Sequence, residues 1–386
     1  MKPQQRVLIF LVDAFAYEYL KEIHFLSGPQ REIFPLETLV GYSSTIIPAI
    51  WSGKYPEESD LWTEFYYSHR KPYRLMKFFS AMPDSRIKML SKTALLESFQ
   101  KFGYYRETLP GIPESIEYLF SRNDVRYWNF PPVEMKCETF DKILKRCEIP
   151  YHFEFHKNKV DGQNMLKRLR ALCRTKRVFI YYIATIDAMG HKYGPDPNKF
   201  RKEIGNLEET IVTAHNVLSK QYAVDLFVFS DHGMTKVQKR SNIGEMLEDY
   251  ELGKDYLMFL DSTLARFWFT DFKTQLEFVE ILNKSGVGHV LTDDEIEKYR
   301  LRFKDNRYGD LIFISNPGVE LYPNFMNPAV LHQNSITKGL HGYLPKESST
   351  QGIFMYQGDK ELGINGRIRA TEVLDKLKMT LNDGSS

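Results

Sequence analysis

Residues 7–12 form an unbroken apolar run, the pattern of a strand buried on both faces of a parallel sheet. Residues 178–184 and 224–229 repeat the pattern. Each run ends at or shortly before an acidic residue: Asp13, Asp187, and Asp231 followed by His232. In open parallel α/β sheets, ligands bind at the carboxyl ends of the strands. A single Asp there is an ordinary helix cap, but three at the ends of three such strands point to a site. Between the second and third runs, residues 197–220 place Phe200, Ile204, Leu207, Ile211, Ala214 and Leu218 three to four positions apart, which predicts a core-facing helix. Strand, helix and strand then make a right-handed crossover. Further strands are predicted over 309–315 and 352–356, and a closing amphipathic helix over 371–381. The expected fold is α/β, with a mostly parallel central sheet and helices on both faces.

Residues 63–165 break this rhythm. They are rich in Tyr, Phe and Trp, with Pro110, Pro113, Pro131 and Pro132 among them. The segment reads as an aromatic-rich insertion, a cap over the substrate, so that 1–62 and 166–386 make the core. Its aromatic rings could stack on a base or a sugar as well as pack against each other.

The chain has 386 residues, 42% hydrophobic and 26% charged, which excludes a disordered or fibrous class. A net charge of +2 with no basic block gives no electrostatic reason to expect a nucleic-acid polymer as partner. Cys137, Cys147 and Cys173 are too few for a disulfide framework and lack zinc-site spacing. No run approaches the ~20 apolar residues of a membrane span. A soluble cytoplasmic protein acting on a small molecule is the expectation.

The chemistry lies at the strand ends. Asp187 and His191 are four apart in what reads as a glycine-containing loop, Asp231 and His232 are adjacent, and His341-Gly342-Tyr343 adds a third imidazole. Carboxylates and imidazoles are ligands of zinc and similar divalent ions, and with Asp13 there are six, enough for two ions with open positions.

Asp13, a Ser-rich turn, Asp187-x-x-Gly-His191-x-x-Gly194-Pro195, Ser230-Asp231-His232-Gly233-Met234 and His341-Gly342-Tyr343 occur in the order that resembles the alkaline phosphatase superfamily, and within it the type I phosphodiesterase/nucleotide pyrophosphatase branch. The likeness covers residues 5–60 and 175–385; the inserted segment carries none of it. It implies two metal sites, one of Asp187, His191 and His341, the other of Asp13, Asp231, His232 and a nucleophile oxygen, filled by zinc or alternatively manganese. In the family the nucleophile opens a helix ten residues before the glycine of a T-G-x-x-P element. Here Ser52-Gly53-Lys54-Tyr55-Pro56 is that element, and the spacing selects Ser43, with Ser44 and Thr45 as fallbacks. A helix N-terminus favours an anionic phosphate, and a bound metal lowers a hydroxyl pKa so that no general base is required. Where relatives often place a phosphoryl-binding Asn, this chain has Glu64. The implied activity is hydrolysis of phosphate esters, phosphodiesters or nucleotide pyrophosphates above all, through a covalent phospho-Ser43. An alcohol acceptor in place of water would make the chain a transferase. A metal-binding interaction protein without activity is the alternative of another class. The C/S-x-P-x-R setting of sulfatases is absent after Ser43.

Overall fold

The computed structural model describes residues 4–27, 32–68, 112–117, 119–123, 125–157, 159–325 and 337–381, with Met82 and Ser91. The chain divides into two compact units, one of residues 1–59, 126–236 and 337–386, the other of 60–125 and 237–336.

The first unit is built on a seven-stranded sheet in the order Ile368–Arg369, Ile33–Glu37, Gly352–Gln357, Ala223–Phe229, Gln5–Val12, Val178–Ile183, Tyr151–His156. The last four are mutually parallel. Gly352–Gln357 runs antiparallel to both of its neighbours, so the sheet is mostly parallel. Alternation along Gln5–Val12 feeds two cores. Val7, Ile9 and Leu11 pack with the helices Ser43–Ser52 and Val373–Leu381. Leu8, Phe10 and Val12 pack with Gly162–Leu172 and Arg201–Ser219, which present Met165, Leu169, Ile204, Leu207 and Ile211. The helices therefore cover both faces, as the apolar periodicity requires. The predicted 197–220 helix is realised as a 3-10 turn, Pro197–Phe200, running into Arg201–Ser219.

The second unit holds a four-stranded antiparallel sheet in the order Tyr256–Leu260, Leu264–Phe269, Leu311–Ser315, Gly288–Val290. Its core joins Phe65 and Phe120 from the first segment to Phe259, Phe267, Trp268, Phe278 and Phe313 from the second.

This division begins close to the expected boundary, at 59/60 rather than 62/63, but differs from the expected partition beyond it. Tyr151–His156, expected in the insertion, is an edge strand of the central sheet, registered on Val178–Ile183 through six residues. The Phe140–Arg146 helix packs in the same core. Residues 237–336, expected in the core, form most of the second unit, and the predicted strand near 309–315 belongs to its sheet. Many of the expected cap aromatics, among them Tyr73, Phe78, Phe79, Tyr104 and Tyr105, lie outside the described residues.

Candidate active site

The parallel register sets the site. Val12 pairs with Ile183 and Leu11 with Phe229, so Asp13, Ala184 and Ser230 leave the sheet at one level. Asp13 N donates to Ile183 O at 2.9 Å, which fixes the start of its loop. Asp187 and His191 prove helical rather than looped. They lie on Thr185–Tyr193, one turn apart on one face. Gly190 inside that helix admits Met234, whose Cε would lie 2.7 Å from a side chain there, and Gly339 in turn comes so close that a side chain on it would sit 2.5 Å from the Gly190 carbonyl. The pair Gly339–Leu340 runs antiparallel to Thr235–Lys236, which brings His341 beside His232. Their rings stack with centroids 3.8 Å apart.

Ser43 opens the Ser43–Ser52 helix after an extended Tyr42. Gly41 turns the chain with φ +137°, and a side chain there would collide with Thr45 Oγ1. Thr45 is thereby packed back under the turn. Ser43 Oγ instead meets His232 Nε2 at 3.1 Å.

Distances among the remaining groups are short. His232 Nε2 lies 3.4 Å from Asp13 Oδ1 and 3.3 Å from Asp231 Oδ2. Asp187 Oδ1 lies 3.2 Å from His191 Nε2 and 3.7 Å from His341 Nε2. All seven residues singled out from the sequence thus lie in one cluster of the first unit. By mutual distance the ligand atoms fall into two groups, Asp187–His191–His341 and Asp13–Asp187–His232. The first is the implied trio. In the second, Asp187 stands where Asp231 was expected; Asp231 Oδ1 is engaged by the backbone N–H groups of Ala14 (3.2 Å) and His232 (3.0 Å).

The hydrogen bonds orient ligands. The Nδ1 atoms of His191 and His232 face the carbonyls of Gly339 and Gly233, each at 2.8 Å. A proton on Nδ1 leaves Nε2 as the lone-pair nitrogen, the usual arrangement of a metal-binding imidazole. Tyr182, which the sequence reading passed over, donates its hydroxyl to Asp13 Oδ2 at 2.5 Å. Its signal was a polar atom near the end of an otherwise apolar strand.

Asp13 Oδ1, Asp187 Oδ1 and Asp231 Oδ2 are buried and accept no hydrogen bond. Buried carboxylate oxygens in that state are costly, and a cation satisfies them. The donor set of imidazole nitrogens and carboxylate oxygens therefore fits divalent ions of the zinc class. Burial, with the charges of Asp231 and Asp187, pushes the Asp13 carboxyl well above its ordinary range. Burial pushes Asp187 the same way, but His191 and then His341 outweigh it and hold that carboxyl low. Burial and the neighbouring His232 hold His341 far below the usual imidazole range, in its neutral, ligating form.

Glu64 belongs to the second unit, where its carboxylate is ion-paired with Arg122. Lys54 follows the C-terminal end of the Ser43–Ser52 helix and pairs with Glu58 at 3.5 Å.

A model of the type I phosphodiesterase/nucleotide pyrophosphatase family matches residues 91–344. The chain belongs to that family. The match takes in Asp187 to His341 and reaches back into the 63–165 segment in which no likeness had been read. Human ectonucleotide pyrophosphatase/phosphodiesterase family member 7 is 31% identical over 70 residues, 17% of this chain and 15% of that protein. The match thus spans well under two thirds of that relative. Among solved structures, murine ectonucleotide pyrophosphatase/phosphodiesterase 5, an inactive variant in complex with AMP, superposes with a TM-score of 0.67 at 14% identity over 98% of this chain and 95% of that one. The human protein of the same name gives 0.66 at 14% identity over 99% and 96%. These neighbours share the fold. Among the described residues no helix is long and apolar enough to cross a membrane.

Proposed function

We propose that the chain hydrolyses phosphodiesters or nucleotide pyrophosphates with two bound divalent ions, zinc foremost and manganese as the alternative, and Ser43 as nucleophile. The observation that carries this reading is the position of Ser43: its hydroxyl, at a helix N-terminus, touches a cluster whose three carboxylates each keep a buried oxygen without a hydrogen bond. Asp187, His191 and His341 would hold one ion, and Asp13, Asp231 and His232, with Ser43, the other. When bound, such ions neutralise phosphoryl charge and lower the pKa of an adjacent hydroxyl.

The chain's own residues do the rest. Ser43 Oγ, its proton lost to solvent, bonds to phosphorus as the bond to the leaving oxygen breaks and that oxygen departs with the electron pair. The helix N-terminus favours the anionic group that forms on Ser43. Water then displaces phosphorus from Ser43 and restores the hydroxyl. Tyr182 holds Asp13 in one orientation throughout. The family, together with the AMP carried by the murine neighbour, favours a nucleotide-containing substrate.

Metal analysis alongside a chromogenic aryl phosphodiester assay tests the reading. About two ions per chain and turnover that disappears on chelation and returns with zinc or manganese are expected. Full turnover by metal-free protein would remove the ions from the mechanism. Loaded, folded protein that turns over no phosphoester would leave a binding protein.

A further inference from the structure

Among the described residues, three large apolar side chains are exposed, and two of them, Phe272 (69%) and Leu276 (53%), lie one turn apart on the Phe272–Lys284 helix of the second unit. With Val279 they recur at i, i+4 and i+7, a single stripe along one face. Phe278 and Leu282 of the same helix already fill the unit's core. The helix therefore carries apolar surface beyond what its core uses, and such surface marks an interaction site.

Gln275 and Val279 also form one wall of a cavity of about 340 Å³, roughly twice the 150 Å³ that encloses a benzene ring. Leu291, Leu301, Leu311 and Ile312, all buried, give it an apolar floor. The exposed Asp293, Asp305 and Asp310 stand at its rim with Arg302. Arg302 answers Asp293 at 3.5 Å, and Arg307 answers Asp305 at 2.8 Å. Among the described residues no cation lies within ion-pair distance of Asp310, whose carboxylate accepts from Phe269 N and Asn306 Nδ2, each at 3.0 Å. Lys273, next to Phe272, has a side chain 86% exposed, and its contact with Glu277 at 3.6 Å is a solvated pair of little worth. The ridge is thus apolar with a cation beside it, and the cavity is apolar with an uncompensated anion at its rim.

We propose that this face joins two copies of the chain in a two-fold dimer, each copy's Phe272 entering the other's cavity and each Lys273 pairing with the other's Asp310. Ridge and receptacle share one surface, which is what an isologous contact requires. With the two helices antiparallel and the axis beside Gln275 and Leu276, Phe272 of one copy faces Val279 of the other, at the cavity wall. The two Leu276 side chains meet close to the axis. A small molecule in the cavity would leave the ridge in water, whereas a second copy covers both.

Sedimentation equilibrium of the full chain up to about 100 μM tests this. The wild type should dimerise, and added salt should weaken the dimer by screening Lys273 from Asp310. Because each substitution acts twice in a two-fold contact, Phe272→Asp should weaken association roughly a hundredfold or more, and Leu276→Asp and Lys273→Glu about tenfold. Met379→Asp, which removes the third exposed apolar side chain, in the first unit, should leave association unchanged. All four positions are on the surface, so melting temperature and aryl phosphodiester turnover of the monomer should stay near wild type. A wild type that stays monomeric at that concentration would overturn the dimer; anilinonaphthalene sulfonate bound by that monomer and lost in Phe272→Asp would give the surface to a different partner. A dimer that survives both Phe272→Asp and Leu276→Asp would overturn the assignment of this face. Should Phe272→Asp fail to fold, Leu276→Asp and Lys273→Glu decide.

Discussion

The active-site acids of the first unit and three buried acids of the second are matched with opposite kinds of partner. In the second, Glu64 meets Arg122, Asp261 meets Arg266 at 3.4 Å and Glu320 meets Arg240 at 3.0 Å. In the first, the recorded ion pairs of Asp13, Asp187 and Asp231 are all with imidazoles. A guanidinium is always charged, so an Asp–Arg pair finishes its neutralisation inside the chain. A neutral imidazole offers a lone pair, and three carboxylates among three of them leave negative charge for a cation from outside. Among these six acids, arginine partners accompany the ones that hold the second unit's core, and histidine partners the ones in the candidate active site.

The largest effect that tests this contrast is expected at Ser43. Ser43→Ala should lower kcat for an aryl phosphodiester by roughly 10⁴-fold, since removing a nucleophile removes the covalent route. Melting temperature and metal content should stay near wild type. Full activity in Ser43→Ala, with the loss found instead in Ser44→Ala or Thr45→Ala, would move the nucleophile along the turn.

Arg266→Met should be the largest effect on the arginine side. Arg266 is fully buried, donates to the Phe65 carbonyl at 2.6 Å and lies over the Phe259 ring at 4.8 Å. Removing it strands Asp261, at a cost of about 3–5 kcal/mol. Denaturant unfolding would register the loss while ion counts stay unchanged. Asp187→Asn should do the reverse, because its Oδ1 belongs to both ligand groups: ion content falls while the chain still folds. If Asp187→Asn unfolds the chain and keeps its ions, the division of labour fails.

The sequence exposed one side of this contrast far better than the other. Continuous apolar strands ending in Asp are visible to any periodicity argument, and so were Asp13, Asp187, Asp231 and His232. The helix under Asp187 was hidden because Gly190 and Gly194-Pro195 look like loop residues; Gly190 is there because a side chain would sit 2.7 Å from Met234 Cε. The Tyr151–His156 strand carried a clear period-two pattern, Phe153 and Phe155 against His152, Glu154 and His156, but was overlooked inside a segment judged by its aromatic and proline content. The second unit was least legible. Tyr256–Leu260 and Leu264–Phe269 pair as an antiparallel hairpin, and the charge that completes that core, Arg266 on Asp261, is defined by packing that no linear pattern displays.

Asp261 gives the contrast a pH signature. Burial raises its carboxyl, Arg266 opposes this only in part, and the group titrates at about 6 in the fold. A raised carboxyl contributes stability that is full below its ordinary value near 4 and is lost as pH rises through about 6. The rise from near 4 to about 6 corresponds to about 3 kcal/mol. The unfolding free energy of wild type minus that of Asp261→Asn should fall by up to that amount between pH 4 and 7. A flat difference would mean that Arg266 fully compensates the charge.

The smallest expected effect concerns which phosphate the active site accepts. A monoester dianion carries more charge on its non-bridging oxygens than a diester monoanion, so it needs more positive charge around it. Of the lysines near the motifs in sequence, Lys54 follows the far end of the nucleophile helix, about 15 Å along its axis at 1.5 Å per residue, and pairs with Glu58. Lys192 lies over the ring of its neighbour Tyr193, 4.9 Å from the centroid. With His341 held neutral, the charge that meets the phosphoryl group comes from the proposed ions and the helix N-terminus. That suffices for a monoanion. An aryl phosphodiester should therefore be turned over with a kcat/KM about tenfold above that of the matching monoester, equivalent to ~1.4 kcal/mol of differential transition-state binding. Both substrates must be measured at one pH with the same metal. A monoester preference would mean that a cation beyond these groups completes the site, and the rule that this cluster leaves its neutralisation to bound ions would no longer hold.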